Sequence, residues 1–369
     1  DNIVDVVILE RKRETKPTSP ELPFAFFSSS SSSSSSFFNI PHKTMSSFAS
    51  SAEESKDAKG AAKTGSAVKI ITPSTASPWG TIGRTFVLSA VALFSKALLG
   101  VFNSTTISNH ETFLRAAMRE DRGATKDDGE DANEKTVGSK KKRTGLITVA
   151  NHHSTFDDPG VLAYMTPLKF FLTEMFHKNN RWTLCTAEVA TTNRFVESFI
   201  LSGKGIPIYR GGGIEQPCMK VMAELVAAGR WLQIFPEGKI NKEPRGHTPF
   251  DQRLKWGLGK ILCDIEEMGG AQPMILPFWH SGMDEVKPYE GCKTIFRWGK
   301  RVHVTVGEPI DMKRFRGRCG KCKNEEEKGA LYAEMMTVVR DKMNEVRKKN
   351  LEEREQMGIM VSEEERKKE

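Results

Sequence analysis

Several familiar signatures are missing from this sequence, and each absence closes off a chemistry. There is no Gly-x4-Gly-Lys-Ser/Thr loop and no Gly-x-Gly-x-x-Gly turn, so neither a nucleoside triphosphate nor a dinucleotide finds its usual phosphate cradle. No His-Glu-x-x-His pair occurs, which weakens a metal-dependent hydrolase reading. The six cysteines, at 185, 218, 263, 292, 319 and 322, form no evenly spaced framework, so reduced thiols are expected. Cys319-Gly-Lys-Cys322 stands alone, without the second half-site that zinc would need. A clean membrane-spanning run is lacking too: the most apolar stretch, residues 85–102, is bounded by Arg84 and interrupted by Lys96.

What is present is unevenly distributed. A net charge of +8 and a pI near 9.1 favour an anionic partner, either nucleic acid or an acidic lipid surface, and charge alone does not decide between them; the motifs described below lead to the expectation of a membrane surface and not nucleic acid. Residues 1–44 do not open on Met, carry a serine run at 28–36 and read as upstream sequence, with Met45 the expected start. Residues 45–77, rich in Ser, Ala, Lys and Gly, are expected to be disordered, and Glu53, Glu54 and Asp57 argue against an Arg-rich, acid-poor presequence. Residues 78–118 are expected to anchor the chain by a helix lying in the membrane interface. Phe86, Leu88, Leu93, Phe94, Leu98 and Leu99 would meet lipid, and Lys96 would snorkel to the headgroups. A hydrophilic loop at 119–143, first acidic and then basic, separates this segment from an α/β domain at 144–315, and a charged helical extension fills 316–369.

The domain is organised around residues 145–159, where the β-branched run from Leu146 to Val149 stops at His152-His153 and then Asp157-Asp158-Pro159. Two His-x4-Asp pairs overlap there, His152 with Asp157 and His153 with Asp158. Asp followed by Pro is a helix start, which would occupy Asp158 as the cap and leave Asp157 to orient His152. Five residues on a continuous helix would turn through about 140°, so the pair must meet across a strand-to-helix turn.

Three further strand ends carry chemistry. A strand from Gly205 ends at Arg210 and is followed by Gly211, Gly212 and Gly213; a guanidinium fork beside mobile backbone N–H groups suits a phosphate. Another, from Trp231, ends in the Phe-Pro-Glu237-Gly238-Lys239 turn, followed by an apolar stripe of Leu254, Leu258, Ile261, Leu262 and Ile265 at helical spacing. A strand from Met274 to Phe278 contains Pro277, and residues 302–306 make a last one. Strands alternating with helices imply an α/β sheet with its site at the strand ends.

In order, Asn-His-x4-Asp, Gly-Ile-Pro-Ile-Tyr-Arg, Phe-Pro-Glu-Gly and Ile-Leu-Pro resemble the four blocks of the glycerolipid acyltransferase superfamily, over about residues 78–315. The resemblance implies a glycerolipid-acyltransferase-like sheet with flanking helices and places the acyltransferase domain at 144–315. It implies that His152 is the general base and Asp157 its orienting carboxylate. Arg210, Gly211 and Gly212 would hold the lipid phosphate, with Glu237, Gly238, Lys239 and Pro277 around the glycerol. Phospholipid and lysophospholipid would be the substrates, cardiolipin the substrate class, and no metal or dissociable cofactor is required. It also implies a peripheral or monotopic place on mitochondrial membranes, facing the intermembrane space. An acyl-CoA-dependent acyltransferase and a non-enzymatic membrane scaffold are the alternatives.

Overall fold

A computed structural model describes residues 76–118, 144–177, 179–241, 254–289 and 295–359. The expectations for 1–75, for the 119–143 loop and for Cys292 lie outside these residues. The first half of the chain builds α1 (Gly80–Gly100), β1 (Ser104–Ser108), α2 (His110–Met118), β2 (Leu146–Ala150), α3 (Asp157–Met165), α4 (Leu168–Leu172), α5 (Glu174–His177), β3 (Trp182–Thr186), α6 (Ala187–Ala190) and α7 (Arg194–Ser202). The second builds β4 (Gly205–Ile208), α8 (Pro217–Ala227), β5 (Trp231–Ile234), α9 (Gly257–Glu267), β6 (Met274–Ser281), α10 (Met283–Val286), β7 (Arg301–Val306) and α11 (Glu325–Gln356).

The strands form one mixed sheet in the order β1-β7-β6-β2-β5-β3-β4. Strand β2 pairs in parallel with both β5 and β6, and β3 in parallel with β5 and β4, so the carboxyl ends of these five strands open along one edge. Strand β7 runs antiparallel to β6 and carries β1 in parallel on its outer side. From β2 the chain builds β3 and β4 on one flank, returns as β5, then crosses to β6 on the other. That reversal beside β2 is where an open α/β sheet leaves a crevice.

Every residue of β2 is buried because helices cover both faces. Ile147 and Val149 join Met219 and Met222 of α8, Ile261 of α9 and Trp279 in one cluster. Leu146 and Ala150, one step out of phase, join Leu98, Leu99, Phe113, Val161 and Leu162 in the other. Helix α11 belongs to the first face. Its Leu331, Tyr332, Met335, Met336, Val339, Met343 and Val346 form a stripe at helical spacing that is buried in that cluster. The charge of the 316–369 segment thus hides an amphipathic helix. Its close crossing over α9 depends on Gly259, where a Cβ would lie 3.0 Å from the Tyr332 Cα.

Two expectations are corrected. Cys263 of α9 and Cys319 are joined in a disulfide across 56 residues of sequence, so these two thiols are not free; no spacing rule reveals a partner that only folding brings near. Helix α1 also divides its apolar residues between two faces. Leu88, Leu98 and Leu99 are buried against the domain at 4%, 2% and 0% exposure, and so are not free to meet lipid, whereas Phe86, Leu93 and Phe94 remain exposed at 73%, 60% and 46%. Lys96 does not reach outward either: its Nζ donates to the Tyr164 carbonyl of α3 at 2.9 Å, and burial pushes its pKa down.

Candidate active site

Beyond Ala150 the β2 ladder is continued by a side chain. Asn151 Nδ2 donates to the His280 carbonyl (2.8 Å) and the His280 N–H donates to Asn151 Oδ1 (2.9 Å), which extends the β2–β6 pairing past its last backbone partners, Ala150 and Phe278. The next residue is His152, half-buried at the carboxyl end of the most central parallel strand.

His152 is held from every side but one. Its Nδ1 lies 3.0 Å from Asp157 Oδ2. Its backbone N–H donates to Glu237 Oε1 at 2.8 Å, and its carbonyl accepts from the Asn241 N–H at 2.8 Å. The Phe235 ring stacks on the imidazole with centroids 4.1 Å apart. A carboxylate only accepts, so in the neutral imidazole Nδ1 carries the hydrogen and Nε2 presents a lone pair. The His152 side chain retains 21% exposure while that of Asp157 has none.

The two aspartates divide their work differently from the sequence expectation. Asp158 does not cap a helix: it is extended (φ −117°, ψ 116°), and its carboxylate pairs with the buried Arg181, whose Nε donates at 2.7 Å. Asp157 instead does the local backbone work, with Oδ2 accepting the N–H groups of His153 (2.6 Å) and Ser154 (2.8 Å) as well as His152 Nδ1. The His152–Asp157 pairing stands on a different reason: the other pair is separated by Arg181's claim on Asp158. Burial alone would push the Asp157 carboxyl up, but His280, His152 and the Ser154 N–H outweigh it and hold the carboxyl below its ordinary range. His153 is buried, and burial pushes its imidazole down to about 4, so it stays neutral.

Glu237 acts through the backbone. Burial pushes its carboxyl up to about 8, against the opposing pull of the His152 N–H. Gly238 takes φ +68°, a left-handed turn that suits glycine, and together with Lys239 it is exposed beside this loop. Arg210 is exposed two residues past β4, three strand spacings or roughly 14 Å along the edge from the β2 line. The glycines after it serve the turn, with Gly211 at φ +78° and Gly213 at φ +71°. Gln216 closes that turn through Tyr209 N–H (2.9 Å), the Tyr209 carbonyl (2.9 Å) and the Gly213 carbonyl (2.8 Å). Helix α8 begins only at Pro217, so Gly211 and Gly212 are not in its first turn. Pro277 is also relocated. It is a buried residue inside β6, level with Val149 and one residue past the last registered β6–β7 pair, where its carbonyl accepts from the Gly307 N–H at 2.9 Å.

Phe235, Asn241 and the ring of His280 are site elements that the sequence reading did not assign. Phe235 lies in the Phe-Pro-Glu-Gly block and His280 in Trp-His-Ser-Gly, so the motifs contained them, but nothing in their spacing states that both point back to His152. Among the described residues no cluster of three or more His, Cys, Asp or Glu is arranged to hold a metal.

Residues 132–281 match the acyltransferase family. A tafazzin of Drosophila melanogaster is 33% identical over 230 residues, 62% of this chain and 52% of that protein. The N-acylphosphatidylethanolamine synthase of Arabidopsis thaliana is 30% identical over 236 residues, 63% of this chain and 72% of that protein. The taffazin of Dictyostelium discoideum is 34% identical over 165 residues, 45% of this chain and 54% of that one. The chain spans about half the length of the tafazzins it matches.

Proposed function

This chain belongs to the acyltransferase family, in its glycerolipid branch, and from that premise we propose that it is a tafazzin-type phospholipid–lysophospholipid transacylase. The observation that carries the reading is the His152–Asp157 bond of 3.0 Å at the open end of β2, made by an imidazole that keeps 21% of its side-chain surface exposed. His152 Nε2 takes the proton of an acceptor hydroxyl on a lysolipid as that oxygen attacks the acyl carbonyl carbon of a donor phospholipid. The tetrahedral intermediate collapses, the donor's ester C–O bond breaks, and the leaving alkoxide takes the proton back from the imidazolium. Asp157 keeps the imidazole in the required tautomer and stabilises its charged form; a positioned base of this kind contributes about 10²–10⁴ in rate.

Around that pair, Glu237 sets the backbone of His152. Arg210, with Lys239, supplies positive charge along the same edge for a lipid phosphate. The exposed face of α1 lies in the bilayer interface, and the positive balance of the chain favours an anionic surface. Cardiolipin as substrate and the intermembrane-space face of mitochondrial membranes as the location extend the tafazzin likeness.

The test is labelled acyl transfer from phosphatidylcholine to a lysophospholipid in vesicles without CoA. Wild-type protein should turn over, His152→Ala should not, and His153→Gln should retain most activity. A strict need for acyl-CoA would replace the reading with a CoA-dependent acyltransferase, and transfer surviving in folded His152→Ala would remove it. A second reading is supported by the Arabidopsis relative, whose name specifies an amine acceptor. Transfer to the headgroup nitrogen of phosphatidylethanolamine, in the same assay, distinguishes it.

A further inference from the structure

The peptide unit joining Asn151 to His152 is gripped at both of its polar atoms. On one side its N–H donates to Glu237 Oε1 at 2.8 Å; on the other its carbonyl oxygen lies 3.0 Å from His280 Nε2. A carbonyl only accepts, so His280 Nε2 carries a hydrogen and is the donor of this contact. The backbone of His280 is itself locked to the Asn151 amide by two bonds, which leaves the ring little freedom to leave that carbonyl. The same Nε2 sits 3.6 Å from Asp157 Oδ2, beyond a hydrogen bond but close enough to favour the ionised carboxylate. At 1% exposure His280 cannot reach a lipid. The groups facing it are Asn151, Asp157, the His153 ring at 6.3 Å and the Phe278 ring at 6.5 Å.

We propose that His280 is a positioning residue for acyl transfer: its Nε2–H fixes the plane of the Asn151–His152 peptide against Glu237, and thereby the direction in which the His152 side chain leaves the backbone. A peptide held at only one of its polar atoms can tilt, which changes φ of His152 and with it the orientation of the imidazole relative to Asp157. Held at both, it cannot. This assigns a role to the histidine of Trp-His-Ser-Gly that acts through the base and not on substrate, so its loss should appear in turnover and leave lysolipid affinity alone.

The inference rests on the acyl-transfer reading, and the test separates the two. His280→Gln keeps a donor near the Nε2 position, whereas the shorter amide of His280→Asn reaches only to the place of Nδ1. In CoA-free transfer from phosphatidylcholine to lysophospholipid, His280→Asn should lose on the order of tenfold or more in kcat with KM within about twofold of wild type. His280→Gln should recover most of that loss, and both should melt within a few degrees of wild type. Wild-type kcat in His280→Asn overturns the inference, as does an equal loss in His280→Gln or a loss that follows unfolding in both. His152→Ala run alongside assigns the failure: transfer surviving there removes the acyl-transfer reading itself, whereas transfer lost there and normal in His280→Asn removes only the role of His280.

Discussion

The Phe235 ring lies almost parallel to the imidazole of His152, with planes inclined by 14° and centroids 4.1 Å apart. Asp157 governs one edge of the imidazole and Phe235 covers one face, so the ring is confined in rotation as well as in tautomer. Stacked aromatic pairs contribute about 0.5–1.5 kcal/mol beyond area burial, which converts to a loss of up to about tenfold if that confinement is used only in the transition state. Phe235→Ala should therefore lower kcat by that order with little change in KM, and Phe235→Tyr should stay near wild type, as read from steady-state transfer kinetics.

Asp158 and Arg181 form a buried ion pair, with side-chain exposures of 2% and 7%. Removing one partner leaves the other charge buried and uncompensated, which typically costs about 3–5 kcal/mol, whereas replacing both by apolar groups is often close to neutral. Denaturant unfolding should show Asp158→Leu strongly destabilised and Asp158→Leu/Arg181→Met largely restored. A mild effect in the single variant, of the size of a lost helix cap, would return Asp158 to the capping role.

Glu237 predicts a pH dependence with a definite sign. Its folded carboxyl titrates at about 8 against an ordinary 4.5, so the folded chain binds the extra proton between those values and its contribution to stability is lost as pH rises through that window. Wild-type protein should become less stable from pH 5 to pH 8 by this increment. Glu237→Gln, which resembles the protonated form, should flatten the slope. Chemical denaturation across that range reads the difference directly, and parallel slopes in the two proteins would show that Glu237 is ionised in the fold.

The two faces of α1 predict opposite phenotypes. Phe86→Ser with Leu93→Ser should weaken sedimentation with anionic vesicles while leaving the melting temperature unchanged, because both side chains are exposed. Leu99→Ala should do the reverse. It is fully buried, and truncations of buried leucine cost about 2–5 kcal/mol.

Strands β2, β5 and β6 were legible in the sequence because burial on both faces demands short continuous apolar runs bounded by turn residues. Strand β1, Ser-Thr-Thr-Ile-Ser, escaped the reading because at the sheet edge it alternates exposed and half-buried positions and needs little apolar surface. Strand β3 escaped it because only Trp182 is fully buried there. At the site, the spacing offered two overlapping His-x4-Asp pairs within one turn, and the family resemblance, not the spacing or the capping argument, favoured the His152–Asp157 pairing that the structure shows. The division of labour between Asp157 and Asp158 was not legible, because it depends on Arg181, 23 residues later. For the same reason Phe235, His280 and the Cys263–Cys319 bond were invisible: each is a meeting of distant segments that local periodicity does not encode.

The attachment of α1 to α3 has a kinetic corollary. Phe94 of α1 packs edge-on against Phe156, just before Asp157, while Lys96 bonds to the Tyr164 carbonyl at the other end of α3. Helix α1 and the aspartate turn are thus packed together, so if the exposed face of α1 rests in a bilayer, as proposed, the fold sets the height of His152 above it. Donor and acceptor would then arrive by lateral diffusion within a single leaflet. Turnover would follow their mole fractions in that leaflet, and diluting both with inert lipid at constant bulk concentration would slow the enzyme.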